Sequence, residues 1–468
     1  MYGNTSVKDA VVLNTKERKD RHPPTKNLLC KAGAVVSIPW GRSRNIGRAM
    51  AGKRLAQIVL FILYTTCAFA QADKKQYAAA VAPNNHFAVK FFKAAYQPES
   101  PKNVVTAPAS LSYAFALLRN GASGPGRDEL DEVFEFKGVD VAALNQANLR
   151  LHELRQPRVV KKDSRLPRGG EMGKADGHSF QPYRLSGAMW FPQSFPTLSF
   201  QTANREDYGF SLFRRAPTRA AIDGWLNGNQ SSAAVKTSSA GKSNRDLDFA
   251  VATVLDFESR WLNPFDPKQT HSGEFKLMSG DKRPVQLMSR KAEFNYLRGD
   301  HFQAVSLDFY DSTMYIFLSD DDRGISQFAD SLTDNNWEGW LKNFEKRDGL
   351  LELPKFEIHQ RRDNRQILQR LGVQAAFSDY QTFVPMVGAA GAVLTNADEA
   401  DFMRVDETGA KVRAEVFMGG VIGGICGNCP PPPPPFRMIV DHPFFFAIVD
   451  WRTDETLFMG AIVDPMEK

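Results

Sequence analysis

The sequence predicts an α+β fold in which helices come first and large, mostly antiparallel sheets follow. Three observations carry that prediction. Helical periodicity opens the stretch after residue 84, where Phe87, Phe91 and Ala94 recur at i, i+4 and i+7. From about residue 249 onward, short apolar runs bounded by turn residues take over. The 468 residues are 43% hydrophobic and 24% charged, which supplies a large core and excludes global disorder.

The first helix is expected to begin at an Asn84-Asn85 cap, with Val89, Phe92 and Tyr96 widening its apolar face. A second, capped by Ser110, runs from Leu111 to Arg119 and stops at Asn120-Gly121. Two more cover about 127–135 and 140–155, the latter carrying Leu144, Leu151 and Leu154. The stretch from Arg155 to Pro182 is basic and aperiodic, and reads as a surface insertion. Its Arg155, Arg158, Lys161, Lys162, Arg165 and Arg168 form either a solvated loop or a polyanion site. Beyond it, Phe249–Leu255 is a continuous apolar run, the mark of a strand covered on both faces. Val305–Tyr310 and Met314–Leu318 read as a hairpin turned by Asp311-Ser312-Thr313. Short helices around Trp337, Trp340 and Phe344, and around Ile367, Leu368 and Leu371, interrupt the strands, and Phe444–Val449 and Leu457–Val463 close the chain.

Charge is divided unevenly. The formal balance is +6, but residues 1–70 hold twelve Lys and Arg against three Asp and Glu, and the remaining 398 residues hold 47 against 50. A global electrostatic case for a nucleic-acid partner goes with the first segment. From Met50 the chain reads Lys53-Arg54, an apolar run Leu55–Ala70 and an Ala68-Phe69-Ala70 cleavage pattern, which is a secretory signal peptide. A membrane anchor is the alternative, but the run is short and interrupted for a span. The expected organisation is a mis-started or upstream segment 1–49, a signal peptide 50–70, a linker 71–83 and one domain 84–468, secreted to an extracellular or periplasmic space. Export leaves Cys426 and Cys429 as the mature thiols, so the core rather than a disulfide framework must hold the fold.

The stretch 405–443 carries most of the functional information. Gly419-Gly420, Gly423-Gly424, Gly427 and then Pro430–Pro435 leave its centre little capacity to form core. Yet Ala410, Val412, Ala414 and Val416 alternate with Lys411, Arg413 and Glu415, the period of a strand with one small apolar face. An edge strand already paired in a sheet has the same pattern.

A family resemblance enters at the C-terminus. Asp441-His442-Pro443-Phe444-Phe445-Phe446, Leu457-Phe458-Met459-Gly460 and Asp464-Pro465 resemble the closing pattern of the serpins. In the same order along the chain stand Asn103-Val104-Val105, Pro108-Ala109-Ser110, Gly121-Ala122, Ala188-Met189-Trp190 and Ile222-Asp223-Gly224-Trp225. Trp261 with Pro264-Phe265-Asp266, Leu353-Pro354-Lys355-Phe356 and Val405-Asp406-Glu407-Thr408-Gly409 complete the set, which covers roughly 84–465. The resemblance implies a single domain of three β-sheets and about nine helices, with a long exposed reactive loop at about 407–435.

It also implies a mechanism without catalytic residues, cofactor or metal. A serine protease attacks the loop, and the cut loop enters the main sheet as an extra strand. Roughly twelve residues at ~3.3 Å each would carry one end about 40 Å. The residues required are a hinge, Glu407 and Gly409, and inward side chains small enough to enter: Ala410, Val412, Ala414 and Val416. The family's spacing of about sixteen positions beyond Glu407 places the reactive bond at Gly423–Gly424, with Ile422–Gly423 the alternative. Small residues there suit an elastase-like or subtilisin-like protease and not a trypsin-like one. The implied inhibitor is a monomer that needs no membrane. Three departures stand out. Val412 is bulkier than the usual alanine, and Thr253 and Glu399 replace an Asn and a His that help latch the family's sheet. Two other functions compete: a non-inhibitory serpin whose loop is cut without trapping anything, and redox chemistry at Cys426-Gly427-Asn428-Cys429, which lacks the helix N-terminus that activates such pairs.

Overall fold

The structure, a computed structural model, describes residues 74–99, 102–155, 183–191, 196–229, 249–321, 324–388, 391–395, 397–410 and 433–467. All of them lie in one compact unit, Asp73–Lys468. Four helices open it: α1 (Ala78–Ala95), α2 (Pro108–Asn120), α3 (Gly124–Val133) and α4 (Val141–Leu154). Later come α5 (Leu198–Ala203), α6 (Arg219–Gly228), α7 (Ile325–Ser331), α8 (Asp334–Lys342), α9 (Arg365–Leu371), α10 (Ala375–Ser378) and α11 (Val384–Val387).

The 18-residue strand β7 (Lys282–Gly299) serves two sheets joined through it. On one edge it pairs β10 (Glu345–Pro354), which continues to β14 (Phe436–Ile439), while β6 (His271–Lys276) takes the start of the opposite edge. On the other it leads through β8 (Phe302–Asp308), β9 (Ser312–Ser319), β15 (Phe444–Asp450) and β16 (Glu455–Ile462) to β1 (Val104–Thr106). The remaining sheet is in separate pieces among the described residues. Strands β3 (Ser211–Phe213), β2 (Tyr183–Trp190) and β4 (Ala250–Phe257) form one piece, and β11 (Phe356–Asp363) with β12 (Asp398–Val405) forms another. A two-residue strand β13 (Gly409–Ala410) pairs β5 (Ser259–Arg260).

Apolar runs without alternation lie where both faces of a strand are covered. Every residue of β15 is buried, and the period of two divides them between two cores. Phe444, Phe446 and Ile448 face the core shared with β7, β9 and β10. Phe445, Ala447 and Val449 face the helices, where Phe445 meets Phe92, Phe317, Phe328 and Trp337. Strand β4 follows the same rule: Val251 and Leu255 pack inward, and Ala250, Ala252 and Val254 pack against Ile222, Trp225 and Leu226 of α6. The hairpin expected around Asp311 is β8–β9.

Local cap signals were less reliable. Helix α1 begins at Ala78, passes through Pro83, and already includes Asn84 and Asn85. Those side chains instead donate to the Thr456 and Asp454 carbonyls at 3.1 and 2.8 Å, fastening the helix to the β15–β16 turn. Residues 78–83, expected as linker, are therefore the start of α1, with Ala80 and Val81 buried. Ser110 is likewise not a cap. Helix α2 starts at Pro108, whose fixed φ suits a first turn.

Arg155 ends α4 as a buried partner of Glu455, and the Tyr183 hydroxyl donates to the buried Asp450. Both flanks of the basic insertion are thus fixed to β15 and β16. Arg155 is withdrawn from any polyanion surface, and Arg158, Lys161, Lys162, Arg165 and Arg168 lie outside the described residues.

Candidate functional site

Strand β12 ends at Val405 in a four-residue turn. Asp406 and Gly409 exchange N–H···O bonds at 3.2 Å in each direction. Asp406 Oδ1 accepts from the Thr408 N–H at 2.9 Å and the Thr408 hydroxyl at 2.6 Å, an arrangement typical of aspartate in a turn. Three neighbouring groups grip its backbone. The Trp261 indole donates to the Asp406 carbonyl at 2.9 Å, the Trp261 N–H to Thr408 at 3.2 Å, and the Phe265 N–H to Glu407 at 2.9 Å. Trp261 is held in turn by stacking on Phe309, with ring centroids 4.4 Å apart.

Glu407 is only 8% exposed. Its carboxylate accepts from Lys355 Nζ at 2.8 Å and from the Thr270 hydroxyl at 2.8 Å. Burial would raise this carboxyl, but the hydrogen bonds from Lys355, its own backbone and Thr270 outweigh burial and hold it below the ordinary glutamate range. Lys355 stands between β10 and β11, so the ion pair ties the hinge to the strand beside it.

Gly409 has φ +127°, a conformation L side chains rarely adopt, and a Cβ there would lie 2.5 Å from Arg260 Cα and 2.6 Å from the Ser259 carbonyl oxygen. All three contacts within reach of that Cβ are backbone and cannot swing aside. Gly409→Ala is expected to expel the hinge from its place against β5, seen as faster amide exchange at Trp261 and Phe265.

Below the hinge, β4 and β12 each present an edge with no strand paired to it among the described residues. Thr253 and Glu399, the departures from the family's latch, do not bond each other. Ser110 of α2 donates its hydroxyl to Thr253 Oγ1 at 2.8 Å. Glu399 accepts from the Ala107 N–H at 3.0 Å, from Arg362 at 2.7 Å and from Asn364 at 3.0 Å. Ala107 has no side-chain acceptor, so Glu399 reaches over from a strand to satisfy an N–H at the start of α2. Each edge is tied to the same helix end.

Beyond the loop, the chain is anchored again. The Pro434 carbonyl accepts from Arg347 Nε and Nη2 at 3.0 and 2.8 Å. Phe436 stacks on Tyr296 at 4.3 Å and occupies the space above Gly349, where any Cβ would meet its ring. Between these anchors, Val412, Ala414, Val416, Ile422, Gly423, Gly424, Cys426 and Cys429 lie outside the described residues. Among the predicted site residues the structure therefore places Glu407, Gly409 and the Ala410 backbone together at the mouth of the gap. It adds Lys355 and Thr270, which spacing alone does not single out, although Lys355 stands within one of the quoted family matches.

A family model described as Serpin (serine protease inhibitor) matches residues 82–465. The chain is a serpin. Relatives include the leukocyte elastase inhibitor of Bos taurus, 23% identical over 82% of this chain and 99% of the relative. Antithrombin-III of Homo sapiens is 23% identical over 82% of each chain. Among solved structures, human thyroxine-binding globulin superposes with TM-score 0.67 and 18% identity, covering 84% of this chain and 100% of its own. The thermophilic serpin tengpin in its native state gives 0.67 and 18%, covering 84% and 94%. These likenesses confirm the serpin fold in an α+β chain, and the family supports protease inhibition in general terms. No helix among the described residues is long and apolar enough to cross a membrane.

Proposed function

We propose that this serpin is an exported suicide-substrate inhibitor of serine proteases, with an elastase-like or subtilisin-like enzyme as its target. The observation that supports the reading is the interrupted sheet: two strand edges with no strand between them among the described residues, and the hinge turn seated at their upper end. Unpaired edges are costly and are normally filled or covered. An inserted strand would fill both, and that gain is the driving force of the trap.

The chemistry belongs to the protease. Its serine oxygen attacks the Gly423 carbonyl, the Gly423–Gly424 peptide bond breaks, and the Gly424 amine leaves with a proton from the protease's histidine. An ester now joins Gly423 to the enzyme. If residues 410 onward enter the sheet before water reaches that ester, the protease is carried away and held. Ile422–Gly423 would serve the same scheme. The far side of the bond need not move, so Pro430–Pro435 act as a stiff polyproline spacer before the Arg347 anchor.

Incubation of the mature protein with elastase or subtilisin, followed by a denaturing gel, is expected to show a covalent SDS-resistant complex. Mass spectrometry of the released fragment should place the cut at 422–424. A cut loop beside fully active protease would establish the non-inhibitory alternative, for which the bulk of Val412 and the altered latch positions Thr253 and Glu399 are the sequence arguments. Disulfide reductase activity lost in Cys426→Ser would instead point to redox chemistry.

A further inference from the structure

The turn between β8 and β9 encloses a carboxylate that the surrounding fold does not satisfy. Asp311 is 6% exposed, and neither of its side-chain oxygens accepts a hydrogen bond. Burial of a carboxylate disfavours its charged form unless donors replace the lost water. The turn is clasped to the one between β15 and β16. The Trp451 N–H donates to the Asp311 carbonyl and the Trp451 indole to the Tyr310 carbonyl, each at 3.2 Å. That clasp seats the Asp311 side chain against the charges at the end of β15.

Three carboxylates and two guanidiniums meet there. Asp450, fully buried on β15, accepts from the Arg452 backbone N–H at 2.7 Å, from Arg452 Nε at 3.1 Å and from Nη2 at 2.8 Å. The Tyr183 hydroxyl of β2 is a further donor to it. Glu455, on β16, is paired with Arg155 at the end of α4. Arg452 Nη2 stands 3.2 Å from Asp311 Oδ2, but it is already bonded to Asp450. With Arg155 matched to Glu455 and Arg452 to Asp450, the charge on Asp311 is left over. The other charges of the two turns do not offset it: Asp308 takes the Thr313 hydroxyl at 2.8 Å, and Asp454 is paired with Lys74 at 2.8 Å. Burial pushes the Asp311 carboxyl up to about 6, against the pull of Arg452 and helped by the charge of Asp450. Burial raises Glu455 as well, but Glu455 keeps a hydrogen bond from Arg155, and Asp311 has no such bond.

We propose that Asp311 is a proton-binding switch: ionised, it competes with Asp450 for Arg452, and protonated, it releases Arg452 to Asp450 and so tightens the hold of Tyr183 on the start of β2. The switch is independent of the insertion reading. Its sign follows from linkage. A carboxyl raised in the folded state contributes stability that is intact below the ordinary aspartate range and is lost as pH rises through about 6. Asp311→Asn keeps the shape and removes the charge. It is expected to raise the melting temperature of the intact protein by about 3 °C at about pH 7.5, and the gain should shrink by more than half at about pH 4.5. A difference of equal size at both values, or a loss at the higher one, would overturn the proposal. A second readout is local. The part of the tryptophan emission that disappears in Trp451→Phe should titrate with a midpoint near pH 6 in the parent protein and stay flat in Asp311→Asn. A midpoint that persists in Asp311→Asn would put the proton on another group and exclude Asp311. At about pH 7.5, amide exchange at Arg184 and Leu185 should be slower in Asp311→Asn than in the parent, and equal rates would exclude the coupling to β2.

Discussion

Ala414→Arg should turn the inhibitor into a substrate. The alternation of the loop assigns Ala414 to the inward phase, the face that insertion would press against the core. A guanidinium delivered there far exceeds the methyl group it replaces and would have to be desolvated, at a cost of several kcal/mol. Insertion competes with hydrolysis of the acyl-enzyme. A barrier raised by only about 1.4 kcal/mol slows insertion tenfold and hands the ester to water. The number of serpin molecules consumed per protease trapped is therefore expected to rise at least tenfold, while the cut itself proceeds at the original rate. The cleaved variant should lose its gain in melting temperature. Undiminished trapping would show that position 414 never enters the sheet. Arg413→Ala, one residue earlier on the outward phase, is the control, and should change the stoichiometry little.

The second large effect is expected at the hinge. Glu407→Lys removes the partner of Lys355, places a second cation beside it at a buried position, and leaves the Thr270 hydroxyl without its acceptor. Breaking a buried pair costs about 3–5 kcal/mol, and Lys355 is partly exposed, so about 2–3 kcal/mol is the reasonable expectation. Because the same turn is held by Trp261 and Phe265, the loss should loosen the hinge and open the unpaired edges to other chains. A lower melting temperature for the intact protein and the appearance of oligomers on warming are the expected readouts. Glu407→Gln, which keeps an acceptor for Thr270, should lie between. The pH dependence has a definite sign. The folded carboxyl is held below its ordinary value, so its contribution is fully present above the ordinary glutamate range and is lost as pH falls through the lowered one. The stability gap between Glu407→Gln and the parent protein should close in acid; a gap that widened there would contradict the ion pair.

How much of this could be read before the structure was known depended on distance along the chain. The covered strands β4 and β15 were legible because an unbroken apolar run reports two buried faces without reference to a partner. Glu407 and Gly409 were legible through the family resemblance carried by Val405-Asp406-Glu407-Thr408-Gly409. The start of α1 was not. Asn84-Asn85 has the chemistry of a cap, but its bonds go to Thr456 and Asp454, some 370 residues away. Lys355 and Thr270 escaped for the same reason, since the attraction between Lys355 and Glu407 leaves no periodic trace in either neighbourhood. The divided sheet was beyond reach as well. Edge residues of β4 and β12 look like those of any central strand, and only the pairing shows that no described strand lies between them.

The anchor formed by Arg347, Tyr296 and Phe436 has a bearing on what remains after the loop is severed. The 45 residues beyond Gly423 include β14, β15 and β16, and the last two run through the middle of both cores. Scission at the proposed bond would therefore release no peptide; it would yield two polypeptides locked in one body. Unfolding such a body separates its parts, and reassembly would need them to meet again by diffusion. A spent molecule would thus be committed by molecularity as well as by energy.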